Sequence, residues 1–328
     1  MDNLIKEFQL KYPKLCKEMA ECTHHFSEDK LNPYHLEGDV FTHTMMVCQN
    51  AKNLNHMLRV ACLLHDVGKP VCRKSNKETQ RVNFFGHEPV SAFMSIDIMR
   101  DLGLNEDQII HNFQLIALHT EVFKLTQDQI TKRFVNNRRL IDNLFQVSEC
   151  DRKGRFYEYP DQGDGKLPRV DFCSREGFDK ELIMLIGLPC SGKSTWVEQN
   201  TSTDDFIVSR DRIIEYLHPE LTYNEAWKVA DQNEVNNLLE REISLSKGEN
   251  RVIIDMTNMT RKMRRKRLNR FIGYKKKAVV CLAGLEELKK RNQEREGKHI
   301  DWAVYVKMMK SFYPPMYDEF EEIEWILT

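Results

Sequence analysis

The chain has 328 residues, of which 30% are charged, yet acids and bases balance to a formal net charge of −1. That length suits two domains, each able to bury a core, and the charge balance excludes recruitment of nucleic acid by overall charge, so any basic surface has to be local. Nine cysteines, an odd number without a C-x-x-C pair, suit free thiols in a reducing compartment and exclude a zinc ribbon or disulfide framework.

No stretch approaches the roughly 18 apolar residues of a membrane span, and Met1 to Lys6 is no signal peptide. A cytoplasmic protein with no membrane partner is therefore expected. The first 150 residues read as almost wholly helical, with apolar residues at three- and four-residue spacing over 40–54, 57–67, 88–102, 106–118 and 138–150. Histidines and aspartates punctuate these helices. His65-Asp66 closes an apolar helix, where adjacent residues can bring an imidazole and a carboxylate to one metal. His43 lies upstream, His87 follows, His119 ends the 106–118 helix and Asp151 closes the region. His111 competes with His119; His119 is preferred because it extends the face of Ile109, Phe113 and Ile116. Imidazole and carboxylate without thiolate suit Mn²⁺, Fe²⁺, Co²⁺ or Ni²⁺, and such an ion can activate water and polarise a phosphoryl oxygen.

The ordered set His43, His65-Asp66, His87, His119, Asp151 resembles the HD phosphohydrolase superfamily. The resemblance implies that His43, His65, Asp66 and Asp151 bind one metal, and that in two-metal members His87 and His119 bind a second with Asp66 bridging. The stretches around Asp39-Val40-Phe41-Thr42-His43, Leu64-His65-Asp66-Val67-Gly68-Lys69 and Phe85-Gly86-His87-Glu88 look more closely like the HD domain attached to bacterial CCA-adding enzymes. That likeness implies action on 2′- and 3′-phosphates and 2′,3′-cyclic phosphates. It makes Asp66 catalytic and makes Lys69 either a phosphate contact or a plain surface lysine.

Gly154, Pro160, Gly163, Gly165, Pro168 and Gly177 then mark an irregular connector, giving expected domains of 1–155 and 179–328 around a connector at 156–178. Beyond it, β-type runs at 182–186, 206–208, 252–254 and 278–282 alternate with helical stretches, which predicts an α/β domain with a parallel sheet and ligand chemistry at the carboxyl ends of its strands. The first run enters Gly187-Leu188-Pro189-Cys190-Ser191-Gly192-Lys193-Ser194, the G-x-x-x-x-G-K-[ST] phosphate loop, followed by a helix opening at Thr195. Its backbone N–H groups would cradle phosphates, Lys193 would reach the β- and γ-phosphates and Ser194 would ligate Mg²⁺, so ATP or another NTP is the expected cofactor.

Ser209-Arg210-Asp211 ends the second run, Asp255-Met256-Thr257-Asn258 the third, and Arg291 and Arg295 follow the fourth. Asp211 reads as a general base toward an acceptor hydroxyl or as a helix cap, Asp255 as part of the metal and phosphate network or of a plain turn. The arginines read as a γ-phosphate clamp or a solvated face. The basic run from Arg261 to Arg267, with Lys275-Lys276-Lys277, suits a nucleic-acid track or a solvated face. Trp302 and Tyr305, a helical turn apart, suit base stacking or core packing.

Together these motifs resemble the 5′-hydroxyl polynucleotide kinases. The resemblance implies Asp211 as base, Lys193 and Ser194 on ATP and Mg²⁺, and Arg291 and Arg295 as lid arginines, with Arg210, Arg212 and Asn258 toward the substrate. Phage members carry an arginine three residues past the base; here Ile214 stands there, and Arg212 is the substitute. An HD phosphoesterase followed by such a kinase looks like the bifunctional HD-Pnk end-healing enzymes. That implies RNA or DNA ends as substrates, Mn²⁺ or another transition metal in the HD half (one or two ions), and a separate ligase. An HD nucleotidase fused to a small-molecule kinase and a non-catalytic RNA-binding module are the other readings.

Overall fold

The computed structural model describes residues 1–156 and 179–328, so all but Phe156 of the expected connector lies outside the described residues. The chain divides into two compact units, Met1–Phe172 with Met309–Pro314, and Cys173–Met308 with Pro315–Thr328. No helix among the described residues is long and apolar enough to cross a membrane.

The first unit is helical: α1 (Asp2–Lys11), α2 (Pro13–Glu21), α3 (Val40–Asn50), α4 (His56–Leu64), α5 (Lys69–Cys72), α6 (His87–Asp101), α7 (Glu106–Leu118), α8 (Gln127–Phe134) and α9 (Arg138–Lys153). Local chemistry sets their starts. Asp39 caps α3 by accepting from the Thr42 amide, Asn55 caps α4 through Leu58, and Asn105 with Gln108 forms a reciprocal capping box on α7. Helix α4 is buried nearly throughout, and α6 and α7 close the core with Phe93 and Phe113 edge to face at 5.0 Å. The wholly helical expectation misses one hairpin, β1 (Lys74–Asn76) against β2 (Arg81–Asn83), whose exposed polar residues carry no alternating apolar signal.

The second unit is a five-stranded parallel sheet, as expected, in the order β4-β5-β3-β6-β7, where β3 is Lys180–Ile186, β4 Phe206–Ser209, β5 Arg251–Asp255, β6 Tyr274–Leu282 and β7 Glu322–Leu327. Its helices are α10 (Lys193–Asn200), α11 (Arg210–Leu217), α12 (Tyr223–Val229), α13 (Gln232–Leu245), α14 (Arg261–Leu268), α15 (Leu285–Glu294) and α16 (Trp302–Ser311). Ile183 and Leu185 of β3, Ile253 of β5 and Val279 of β6 pack with Trp196 and Val197 of α10. The chain leaves central β3 toward one edge and returns past it to β6, so a crevice opens at the carboxyl end of β3, where the phosphate loop begins. Strand β7 is an addition to the four expected. Its apolar residues are interrupted by Glu322 and Glu324, which make ion pairs with Lys275 and Lys277 of β6, so that a charged stretch becomes a cross-strand ladder.

The charges of the basic run on α14 are largely paired within the chain, although Lys262, Arg265 and Lys266 stay exposed as a solvated face. Arg261 and Arg265 pair with Asp318, and Lys266 reaches Glu240. Arg264 is wholly buried, its guanidinium 2.8 Å from Glu319 and donating to the carbonyls of Asn258 and Met259. Arg264→Ala strands a buried carboxylate and should cost about 3–5 kcal/mol. Arg264→Met with Glu319→Leu should cost far less. Urea unfolding of both variants checks this.

Candidate metal centre and phosphate-loop site

Five elements deliver the histidine–aspartate set of the first unit. His43 comes from α3, His65-Asp66 from the end of α4, His87 from the start of α6, His119 from the end of α7 and Asp151 from α9. Four of their atoms cluster. His43 Nε2 lies 3.1 Å from Asp151 Oδ1, 3.6 Å from Asp66 Oδ2 and 3.3 Å from His65 Nε2. His65 Nε2 lies 3.1 Å from Asp66 Oδ2 and 3.8 Å from Asp151 Oδ1. The other oxygen of Asp66, Oδ1, lies 3.3 Å from His87 Nε2 and 3.8 Å from His119 Nε2.

The far sides of the rings set their chemistry. His65 Nδ1 is 2.8 Å from the Cys62 carbonyl, His87 Nδ1 2.9 Å from that of Phe84, His119 Nδ1 2.7 Å from that of Ile116, and His43 Nδ1 3.0 Å from Glu37 Oε1. An acceptor at Nδ1 fixes the proton there and turns each Nε2 lone pair inward. Burial pulls His119 down to about 4, which favours that neutral form. Lone pairs then face carboxylate oxygens at 3–4 Å, and the buried Asp66 Oδ1 has no hydrogen-bond partner. Ligands about 2.1 Å from a shared ion stand roughly 3–3.5 Å apart, so the donor set fits a divalent cation at each oxygen of Asp66.

Residues outside the expected set complete the centre. The Arg155 guanidinium grips both oxygens of Asp151, and although burial opposes ionisation, Arg155 and the histidines hold Asp151 well below the usual carboxylate range. Lys69 is buried, with Nζ 2.7 Å from Asp66 Oδ2 and 3.0 Å from His24 Nε2, so it belongs to the centre and not to the open surface. His111 instead meets Asn143, away from the cluster.

In the second unit the phosphate loop turns at residues 187–192. A Cβ on Gly187 would stand 2.4 Å from the Cys281 carbonyl, Gly192 has φ 94°, and Cys190 is left-handed at φ 63°. Lys193 folds onto the carbonyls of Gly187 and Leu188 at 3.0 and 2.6 Å, and burial pulls its pKa down while Asp255 opposes the shift. Ser194 and Thr195 open the first turn of α10 on the wall of a cleft of about 1310 Å³, whereas the Ser191 hydroxyl is buried.

Asp211 is no helix cap. It sits inside the first turn of α11, with Oδ1 accepting from the Tyr223 hydroxyl at 2.8 Å and Oδ2 3.1 Å from Lys298 Nζ. The pairing of Ser209 with Asp255 sets it beside the end of β5, where burial raises the Asp255 pKa. The two arginines are not a solvated face either. Arg291 donates to the Cys190 carbonyl at 3.1 Å and to Thr328 Oγ1 at 2.9 Å, while Arg295 reaches Cys190 Sγ at 3.5 Å.

Two substrate expectations change. Asn258 is buried at φ 45°. Its amide donates to the Leu185 carbonyl at 2.7 Å, and its Oδ1 accepts from Arg267 of α14 at 2.6 Å, so the side chain ties the end of β5 to β3 and α14 while the residue still borders the cleft. Arg212 is exposed and does not line the cleft, because one residue along a helix turns the side chain by about 100° from Asp211. Arg210 does line it, fixed by Asn236 and Gln232 at 2.7 and 2.6 Å. Ile214 is fully buried, where a guanidinium has no place. Tyr305 is buried under the stacked Trp302 ring, as core packing requires.

The two sites define an enzyme class of metal-dependent phosphoester hydrolysis and NTP-dependent phosphoryl chemistry. The HD domain family matches residues 40–152 and the AAA domain family matches residues 182–315, so the chain is an HD domain followed by a P-loop, kinase-like AAA domain. An A-adding tRNA nucleotidyltransferase of Deinococcus radiodurans is 32% identical over 120 residues, spanning 35% of this chain and 27% of that protein; the chain thus spans about a quarter of that relative. Among solved structures, a chain of a Pnkp1/Rnl/Hen1 complex is 23% identical with a TM-score of 0.28, covering 36% of this chain and 40% of that one. A protein assigned as a kinase from Chloroflexus aurantiacus is 16% identical with a TM-score of 0.35, covering 46% and 89%.

Gly187→Ala forces a methyl against the Cys281 carbonyl, and overpacking of about 1–3 kcal/mol should weaken NTP binding about tenfold or more. Titration with a fluorescent NTP analogue measures it.

Proposed function

We propose that this chain heals nucleic-acid ends. The HD domain removes 2′,3′-cyclic, 2′- or 3′-phosphates, and the P-loop domain phosphorylates 5′-OH ends from an NTP with Mg²⁺. The observation that carries the polynucleotide reading is the cleft itself. The phosphate loop and Asp211 share one cavity of about 1310 Å³, above the roughly 300–1,000 Å³ of an ordinary ligand pocket. Its wall continues past Asp211 to Arg210, Trp227, Lys228 and Arg267, and basic residues outnumber acidic ones around it. That suits a donor triphosphate together with a second polyanion. The tRNA named in the curated relative agrees with such a substrate, and a separate ligase would join the resulting 3′-OH and 5′-phosphate.

Asp211 takes the proton of the acceptor 5′-hydroxyl. That oxygen bonds to the γ-phosphorus as the bond from the γ-phosphorus to the β–γ bridging oxygen breaks, and NDP leaves. Tyr223 and Lys298 fix the carboxylate but leave lone pairs for the hydroxyl. Lys193, Arg291 and Arg295 spread the charge developing on the phosphoryl group. In the HD domain, His43, His65, Asp66 and Asp151 would hold one divalent ion, and Asp66, His87 and His119 another. When bound, the ions supply activated water and charge neutralisation at phosphorus. Lys69, beside Asp66, orients the phosphate.

One oligonucleotide with a 5′-OH and a 2′,3′-cyclic phosphate tests both reactions in the presence of ATP, Mg²⁺ and Mn²⁺. Lys193→Ala should abolish only the 5′ phosphorylation and Asp66→Ala only the 3′-end reaction. An unchanged oligonucleotide with wild type, alongside turnover of free nucleosides and nucleotides, would move the assignment to a nucleotidase–nucleoside kinase fusion. Separately, chelator-stripped protein reloaded with Mn²⁺ should hold about two ions per chain. The double variant His87→Ala/His119→Ala should hold about one, read by elemental analysis after gel filtration.

A further inference from the structure

Three aromatic and acidic groups of the kinase cleft stand in sequence. Asp211 Oδ1 accepts from the Tyr223 hydroxyl at 2.8 Å, and the Tyr223 ring lies 6.1 Å from that of Trp227, one turn further along α12. Trp227 lines the cleft with 43% of its surface exposed, unlike the mostly buried Trp196. Trp227 is therefore a half-exposed aromatic surface on the wall of the cleft that also holds Asp211 and the phosphate loop. The Arg210 guanidinium stands 5.6 Å from its ring centre and is itself held by Asn236 and Gln232, so the ring and its cation are fixed before any ligand arrives. Lys298 leans on Tyr223, 3.8 Å from the ring centre, while also meeting Asp211. Lys298 covers Tyr223 closely, whereas Trp227, with Arg210 over its ring at a longer distance, keeps 43% of its surface open in the cleft.

We infer that Trp227 is the stacking platform for the terminal nucleobase of the acceptor strand, so that the kinase takes unpaired 5′-OH ends. The inference rests on the kinase assignment and deepens it. A polynucleotide whose 5′-hydroxyl meets Asp211 carries its first base on the adjoining sugar, and the Trp227 ring, one aromatic ring beyond Tyr223 on the same cleft wall, receives it. Stacking on a π-face accepts any base, which gives strand recognition without sequence preference. A base held in a duplex stack cannot cover the indole, so single-stranded and overhanging ends should outrun recessed ones. Of the two sequence readings of Trp302 and Tyr305, base stacking or core packing, the structure supports packing, because those rings stack on each other at 5.0 Å and Tyr305 is buried.

The test measures kcat and KM of wild type, Trp227→Ala and Trp227→Phe with a single-stranded 5′-OH oligonucleotide, and with the same end recessed in a duplex. Trp227→Ala should raise KM for the single strand about tenfold or more while leaving KM for ATP unchanged. Trp227→Phe should recover most of the loss, and the preference for the single strand should shrink only in the alanine variant. Unchanged acceptor KM in Trp227→Ala overturns the inference while the kinase assignment stands. A raised KM for ATP with unchanged acceptor KM also overturns it, because the indole then serves the donor base. Failure of wild type to phosphorylate either oligonucleotide overturns the kinase assignment itself.

Discussion

The first unit depends on a constraint placed at the outer edge of each histidine ring. A carbonyl three residues back, or Glu37 in the case of His43, accepts from Nδ1, and this fixes both tautomer and ring direction. For His65 and His119 helix ends supply those carbonyls without extra cost, because the last turn leaves them without intrahelical partners. His65 and His119 each stand immediately after a helix and accept this geometry directly. The inward nitrogens then crowd two buried carboxylates, an arrangement that is repulsive between neutral acceptors and attractive around cations. The helices can be packed against one another by apolar contact alone; what selects this arrangement of their ends is the charge to be held among them.

The kinase-like unit is organised by a different device, a backbone held open. Gly187 admits the Cys281 carbonyl, and Asn258 binds the Leu185 and Ile254 carbonyls near the ends of β3 and β5 with one amide while Arg267 secures the other end. The phosphate loop is thus fixed from both neighbouring strands before any phosphate arrives, which lowers the ordering cost of binding. In the proposed reaction Lys193, turned onto the loop's own carbonyls, would exchange those acceptors for phosphate oxygens without moving its backbone.

Much of this was legible in the sequence because its signals are local or strictly ordered. The phosphate loop fixes a turn within eight residues, and the histidine set is ordered along helices with strong periodicity. What escaped was set by partners distant in sequence. Asn258 reads like a substrate contact in Asp255-Met256-Thr257-Asn258, but the Leu185 carbonyl that claims it lies 73 residues away. Tyr223 carries no motif and matters only through Asp211; Arg155 is the exception, four residues from Asp151 yet unmarked by any motif. Strand β7 was hidden because Glu322 and Glu324 look like surface charge until the lysines of β6 are set beside them.

The same partner effect decides where positive charge is available for phosphate. On sequence density alone, the run from Arg261 to Arg267 is the strongest candidate for a polyanion track. Its charges are largely answered inside the chain by Asp318, Glu319 and Glu240, so it stitches the sheet's flank together. The cleft holds sparser basic residues drawn from several elements, Arg210 from α11, Lys228 from α12, Arg267 from α14 and Arg291 from α15. Convergence from separate elements is costly to specify and offers stability little that a local ion pair would not. A nearly neutral chain that nevertheless gathers cations around a phosphate loop and an exposed indole supports the proposed ligand, an anion larger than a triphosphate.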